Sequence, residues 1–220
     1  MDAVILAAGK GERLKPLTDN IPKGMVIIDN KPILEHTIKL LVKNRINKIY
    51  IVVNYKKEII INFVDSIKNK YKLEAYYIHQ QELLGTAHAT SLIPNNISNP
   101  FLLILGDVVF YDFPNSLPLK PTIFVKKTDD TINKGIIEIK NGIITNFHYN
   151  KEKLNKEKFV DIGFMVLTKE VIENCKEYKY IKDTPIVEVI NNMIQNGVKF
   201  LAENFKGEIR HITSIEDINR

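Results

Sequence analysis

A single cysteine, Cys175, in 220 residues rules out an intramolecular disulfide and the stapled frameworks of small extracellular domains. Tryptophan is absent, and lysine, isoleucine and asparagine are abundant, which reads as a compositional habit rather than a functional signal. No apolar run approaches the ~20 residues needed to cross a bilayer, and the chain enters its first apolar stretch without a basic leader. The expectation is a soluble cytoplasmic protein with no membrane partner. Blocks of like charge are also missing: 31 basic residues face 26 acidic ones for a net charge of +5, and Lys56-Lys57 and Lys126-Lys127 are short pairs that read as solvated. Nucleic acid is therefore not the expected partner, whereas a small anionic ligand is compatible with the balance. There is no internal repeat, no low-complexity tract and no hexapeptide pattern, so no β-helix domain is expected at the C-terminus.

What is present is enough hydrophobic content, 45%, for one substantial core, and the chain reads as one domain over 1–220. Short apolar runs alternate with helical periodicity. Strands are predicted at 3–7, 48–53, 73–78 and 101–105, and helices from Pro32 to Val42, at 57–70 and from Gly85-Thr86 to Leu92. That is the pattern of βα units feeding a mostly parallel sheet. Phe101 to Leu105 is the most apolar run and is placed at the sheet centre, with Gly106-Asp107 at its carboxyl end, where open α/β sheets bind ligands. After residue 110 or so the texture changes. Strand-like pieces at 122–127, 135–140, 143–148 and 159–167, two of them joined by the hairpin signal Asn141-Gly142, suggest a more mixed half. Helices at 169–175 and 184–195, a strand at 199–202 and short elements from 208 onward follow. The chain thus divides at about 1–110 and 111–220.

Three groups of residues carry chemistry. Gly9-Lys10-Gly11-Glu12-Arg13 follows the first strand: the glycines let backbone N–H groups approach phosphate oxygens, and Arg13 supplies a bidentate grip. The spacing is neither the Gly-x-Gly-x-x-Gly of a dinucleotide fold nor a P-loop. Gln80 precedes Leu84-Gly85-Thr86; an amide before a glycine turn can read a base edge, or it can be a surface residue at a strand end. Asp107 after the central strand can hold a divalent cation against phosphate, and read alone it serves equally well as a turn or cap residue. Cys175 reads as a bystander.

The string Leu6-Ala7-Ala8-Gly9-x-Gly11-x-Arg13-Leu14-x-Pro16-Leu17-Thr18, followed by Pro22-Lys23 and Lys31-Pro32-Ile33-Leu34, resembles the signature of sugar-1-phosphate nucleotidyltransferases of the N-acetylglucosamine-1-phosphate uridylyltransferase and glucose-1-phosphate thymidylyltransferase type. The resemblance implies a Rossmann-like three-layer α/β sandwich with a mixed, mostly parallel sheet and a small acceptor-binding β subregion. It implies transfer of a nucleoside monophosphate from a nucleoside triphosphate, UTP first and dTTP next, to a sugar 1-phosphate, with Mg²⁺ as cofactor. By that resemblance Arg13, Lys23 and Asp107 are catalytic, Asp107 is the metal ligand, and Leu6, Ala8, Gly9, Gly11, Gln80, Gly85 and Thr86 bind the nucleotide.

The acceptor half has drifted from the pattern. Gly135, Lys151 and Asp161 are the candidates for the sugar phosphate, but the family's Glu-Lys-Pro after Phe147 is replaced by His148-Tyr149-Asn150-Lys151, and Gly24 stands where Pro or Ala often follows the signature lysine. Asp161 before Gly163 is a sugar ligand or a turn residue. Near the C-terminus, His211 and Thr213 stand where the family places a second metal-binding aspartate, and Asp217 matches a structural acid. Two alternatives stay open: a cytidylyltransferase acting on a non-sugar phosphate such as phosphocholine, and a catalytically silent nucleotide-binding relative. Oligomeric state, monomer or dimer, is not legible.

Overall fold

The computed structural model describes residues 1–128, 135–148 and 158–218. They form two compact units, one made of Met1–Leu83, Leu103–Asn115 and Gly207–Arg220, the other of Leu84–Leu102 and Ser116–Lys206.

In the first unit, β1 (Ala3–Leu6) is followed by a two-strand hairpin, β2 (Ile27–Ile28) and β3 (Lys31–Pro32), then α1 (Ile33–Lys43), β4 (Lys48–Val53), α2 (Lys57–Tyr71) and β5 (Glu74–His79). β1 pairs in parallel with β4 from Ala3↔Ile49 to Leu6↔Val52, and β4 with β5 from Lys48↔Glu74 to Val53↔His79. The near-continuous apolar sequences of β1 and β4 follow from burial on both faces, as parallel strands require. α1 buries Ile33, Leu34, Thr37, Ile38 and Leu41, one helical stripe. Pro32 stands just before it in extended conformation, and the first helical N–H, that of Ile33, donates to Val26 O.

After α3 (Thr86–Ser91) in the second unit come β6 (Phe101–Leu105) and β7 (Val108–Phe110). Phe101 to Ile104 are wholly buried, which explains the apolar run. Leu14, Val26, Ile28, Ile33, Val109 and Ile212 form a small core packed by Ile21, Tyr111 and Ile218. It lies under the loop that leaves β1 and draws the chain's last segment into the first unit.

The second unit continues with β8 (Thr122–Lys127), β9 (Ile136–Lys140), β10 (Ile143–His148), β11 (Phe159–Leu167), α4 (Lys169–Glu177), α5 (Ile186–Gln195) and β12 (Leu201–Asn204). Its strands are ordered β11-β8-β12-β10-β9, and β9 also pairs with β11, so the ladder closes on itself. Closure removes free edges from a half whose pairings are antiparallel except β12 with β8. Asn141 and Gly142, at φ 52° and 75°, make the β9–β10 turn that their dipeptide predicts.

The expected strands and helices are found with boundaries shifted by one or two residues. α5 starts at Ile186 rather than 184 because Asp183 is left-handed, at φ 57°, and Pro185 is extended. Three strands escaped the periodicity: β2 and β3 are two residues each, and β7 is three residues directly after a turn. β7 pairs antiparallel with β13 (Ile209–His211), from Ile209↔Phe110 to His211↔Val108. Among the described residues, no helix is long and apolar enough to cross a membrane.

Candidate active site

The loop leaving β1 is built from inside. Gly11 is left-handed, φ 70°, and opens a single 3₁₀ turn, Glu12–Leu14, in which Leu14 N donates to Gly11 O and the Leu14 side chain enters the small core. Thr18, 1% exposed, donates its hydroxyl back to Gly11 O at 2.7 Å. A Cβ on Gly11 would stand 3.0 Å from both Lys23 Cβ and Thr18 Cγ2, so the two ends of the loop close on this glycine. Gly9 differs: nothing lies within 4 Å of a Cβ placed there, and its φ is not positive. The fold gives no reason for glycine at 9. Leu6 is half-buried, Ala8 buried and Gly9 exposed. Arg13 is exposed, and its guanidinium makes no ion pair among the described residues.

Lys23 opens a second 3₁₀ turn, Lys23–Met25. Its Nζ lies 3.0 Å from Asp107 Oδ2, with side chains 14% and 35% exposed, so residues 84 apart in sequence meet in a charge-assisted bond. Asp107 is held in place by its neighbours. Gly106 N donates to Leu6 O at 3.0 Å, and a Cβ on Gly106 would come within 2.5 Å of that oxygen. On the other side Ile212 N donates to Asp107 O at 2.9 Å, which brings β13 and the following turn alongside.

Asp217 has the structural role its position implies. Its Oδ2 accepts from the N–H and hydroxyl of both Thr213 and Ser214, closing a capping box on the turn Ile215–Asp217. Partial desolvation pushes its carboxyl pKa up, but these four donors outweigh it and hold the group at about 2. Thr213 thereby has its hydroxyl committed, while His211 sits in β13 opposite Val108.

Gln80 is 3% exposed, a buried amide and not a surface one. Its N–H donates to Val53 O and its carbonyl accepts from Asn54 Nδ2.

In the second unit, Gly85 is at φ 98°, and a Cβ there would meet Thr184 O at 2.4 Å and Thr184 N at 2.7 Å. Ala87 N donates to Thr184 O, and Thr86 Oγ1 accepts from Ile186 N at 2.8 Å, the first helical N–H of α5. Gly85-Thr86 thus serves the fold by seating α3 on the turn before α5. Asp161 lies in β11, its Oδ1 accepting from Gly163 N at 2.8 Å where the β11–β8 register shifts. Gly135 directly precedes β9, and Lys151 lies outside the described residues. Cys175 is buried in α4, and burial pushes its thiol up to about 12.

The residues that sequence reasoning missed are Thr18, Asn54 and Tyr55. Thr18 belongs to the signature but carries no charge to suggest a role, and Asn54-Tyr55 is a polar dipeptide at a strand end, a common composition for a turn.

The β1 loop, with its open glycine and exposed arginine, and the lysine–aspartate pair stand at the carboxyl ends of β1 and β6, the end at which open α/β sheets bind ligands. The sequence profile of the family described as Nucleotidyl transferase matches residues 2–209, and the chain belongs to that family. It is 35% identical over 203 residues to the bifunctional protein GlmU of Methanococcus maripaludis, covering 90% of this chain and 48% of that one. It is 49% identical over 111 residues to the UTP–glucose-1-phosphate uridylyltransferase AglF of Haloferax volcanii, covering 50% of this chain and 44% of that one. The chain spans about half the length of the curated relatives it matches. Among solved structures, the CTP:phosphocholine cytidylyltransferase of Streptococcus pneumoniae superposes with a TM-score of 0.83 at 23% identity, covering 99% of this chain and 96% of that one. This last likeness concerns the fold.

Proposed function

We propose that the protein transfers a nucleoside monophosphate from a nucleoside triphosphate, UTP before dTTP, to a sugar 1-phosphate, releasing pyrophosphate. The observation that carries this reading is the contact of Lys23 with Asp107 beside the β1 loop. A phosphate oxygen of the acceptor attacks the α-phosphorus in line, a new P–O bond forms, and the α–β phosphoanhydride bond breaks. No general base is required, so the protein's task is positioning and charge neutralisation. The open backbone at Gly9 and the Gly11 turn take the triphosphate, Arg13 grips the departing phosphates, and Lys23 bridges the α-phosphate and the acceptor phosphate. Gln80 reads the base, with Gly85 and Thr86 along base and ribose, while Gly135, Lys151 and Asp161 serve the acceptor.

The carboxylate of Asp107, about a third exposed, is a hard oxygen donor suited to Mg²⁺. An ion held by one such carboxylate would complete its shell with water and substrate phosphate oxygens. Bound there, Mg²⁺ would neutralise charge on the phosphate oxygens.

The uridylyltransferase name of the Haloferax relative supports a uridine substrate and a sugar 1-phosphate acceptor. The drifted acceptor residues favour testing phosphocholine beside sugars. Pyrophosphate release is measured with each of UTP, dTTP, CTP and GTP against glucose 1-phosphate, N-acetylglucosamine 1-phosphate and phosphocholine, with Mg²⁺. Turnover with UTP and a sugar phosphate, lost in Asp107→Ala, is expected. Turnover only with CTP and phosphocholine overturns the acceptor assignment, and silence throughout favours a regulatory relative.

A further inference from the structure

Asn54 and Tyr55 occupy the connection between β4 and α2, in which Lys57 N donates to Asn54 O at 3.1 Å. Their side chains reach two different loops of the first unit. Asn54 Nδ2 donates to Gln80 O at 2.5 Å and to Gln81 O at 3.0 Å. Tyr55 Oη shares its proton between Asp19 O at 2.8 Å and Thr18 O at 3.2 Å. Thr18 relays the second tether inward through its bond to Gly11 O and its methyl against the Gly11–Lys23 closure. One rigid dipeptide therefore fixes the backbone that presents Gln80 and the backbone that presents Gly11 and Lys23.

Resting on the function proposed above, we propose that Asn54 and Tyr55 are positioning residues that set the two ends of the nucleotide independently. Asn54 holds the base-reading glutamine, and Tyr55, acting through Thr18, holds the triphosphate loop. Neither touches the reacting atoms. Each tether ends on main-chain carbonyls of one loop, so losing the donor loosens that loop and not the other.

The test uses two probes, nucleoside triphosphates and inorganic tripolyphosphate, which has no base. Binding is measured by calorimetry with Mg²⁺ on the wild type and on Tyr55→Phe, Asn54→Ala, Thr18→Val and Thr18→Ser. Removing one or two net hydrogen bonds predicts that Tyr55→Phe weakens UTP, CTP and tripolyphosphate alike by about 3- to 10-fold. Thr18→Val copies it, and Thr18→Ser, which keeps the hydroxyl, returns toward wild type. Asn54→Ala leaves tripolyphosphate binding unchanged but shrinks the preference between UTP and CTP by about 3-fold or more. Melting temperatures are recorded for each variant. A Tyr55→Phe protein that melts lower yet binds all probes as wild type does is merely structural and overturns the assignment, as does an Asn54→Ala protein with unchanged base preference. A wild type that binds neither nucleotide nor tripolyphosphate instead removes the functional reading on which this stands.

Discussion

Replacing Gly106 by alanine tests how Asp107 is placed. The added Cβ would lie 2.5 Å from Leu6 O, 3.1 Å from Ala7 Cα and 3.2 Å from Leu6 C, all main-chain atoms that no rotamer change can move. Ordinary contact begins near 3.4 Å, so β1 and the turn after β6 must part by about 0.9 Å. The bond from Gly106 N to Leu6 O, now 3.0 Å, is the one stretched. Overpacking of this kind costs about 1–3 kcal/mol of stability. Asp107 is the next residue and moves with the turn, and on the proposed function a misplacement of about 1 Å at a charge-stabilising group lowers turnover about 10²-fold. Urea denaturation and steady-state pyrophosphate release measure the two effects. Gly9→Ala is the companion: with nothing within 4 Å of its Cβ it keeps stability within about 0.5 kcal/mol, yet its methyl occupies the space a phosphate needs, and nucleotide affinity falls. A Gly106→Ala protein with wild-type stability and turnover would refute the reasoning, as would a Gly9→Ala protein destabilised as much as its partner.

Gly85→Ala combines φ 98° with a Cβ 2.4 Å from Thr184 O, so it is expected to lose about 3 kcal/mol or more in urea unfolding; a change under about 1 kcal/mol would contradict the packing described. Asp217→Asn weakens the capping box by about 1–2 kcal/mol at neutral pH, measured by chemical denaturation. Because the folded carboxyl lies at about 2, below its ordinary 3.8, the Asp217 contribution is fully present above pH 4 and fades as pH falls toward 2, so the wild-type advantage over the variant must shrink over that window. Lys23→Met leaves Asp107 without its cation and is expected to lower turnover at least about 10²-fold, with a small stability change because the pair is partly exposed. Cys175, buried with its thiol raised to about 12, is expected to react with an aromatic disulfide reagent only after denaturation; labelling of the native protein would show the helix α4 to be misplaced.

Legibility from sequence followed the kind of interaction. β1, β4 and β6 were readable because full burial demands uninterrupted apolar residues, and the β9–β10 turn because only a few residue types accept two consecutive positive φ values. β2, β3 and β7 were not, since strands of two or three residues carry no period. Lys23 and Asp107 were legible as charged residues in a recognisable string. Asn54 and Tyr55 were not, because they act through main-chain carbonyls of distant loops, and a carbonyl leaves no trace in the sequence of its own residue.

The same distinction separates the parts of the β1 signature. Gly11 is required by its left-handed turn and by the Lys23 and Thr18 side chains against it, and Thr18 by its bond to Gly11 O. Gly106 is required by Leu6, and Gly85 and Thr86 by the start of α5. Each of these would be needed to fold the loop even in a protein that bound nothing. Gly9 and Arg13 have no such reason, since a Cβ at Gly9 would meet nothing within 4 Å and Arg13, in an exposed turn, makes no ion pair among the described residues. On the proposed function, an anion arriving at that loop supplies the missing reason for both at once: backbone N–H groups that only an unsubstituted carbon leaves approachable, and a guanidinium able to pair two of its oxygens.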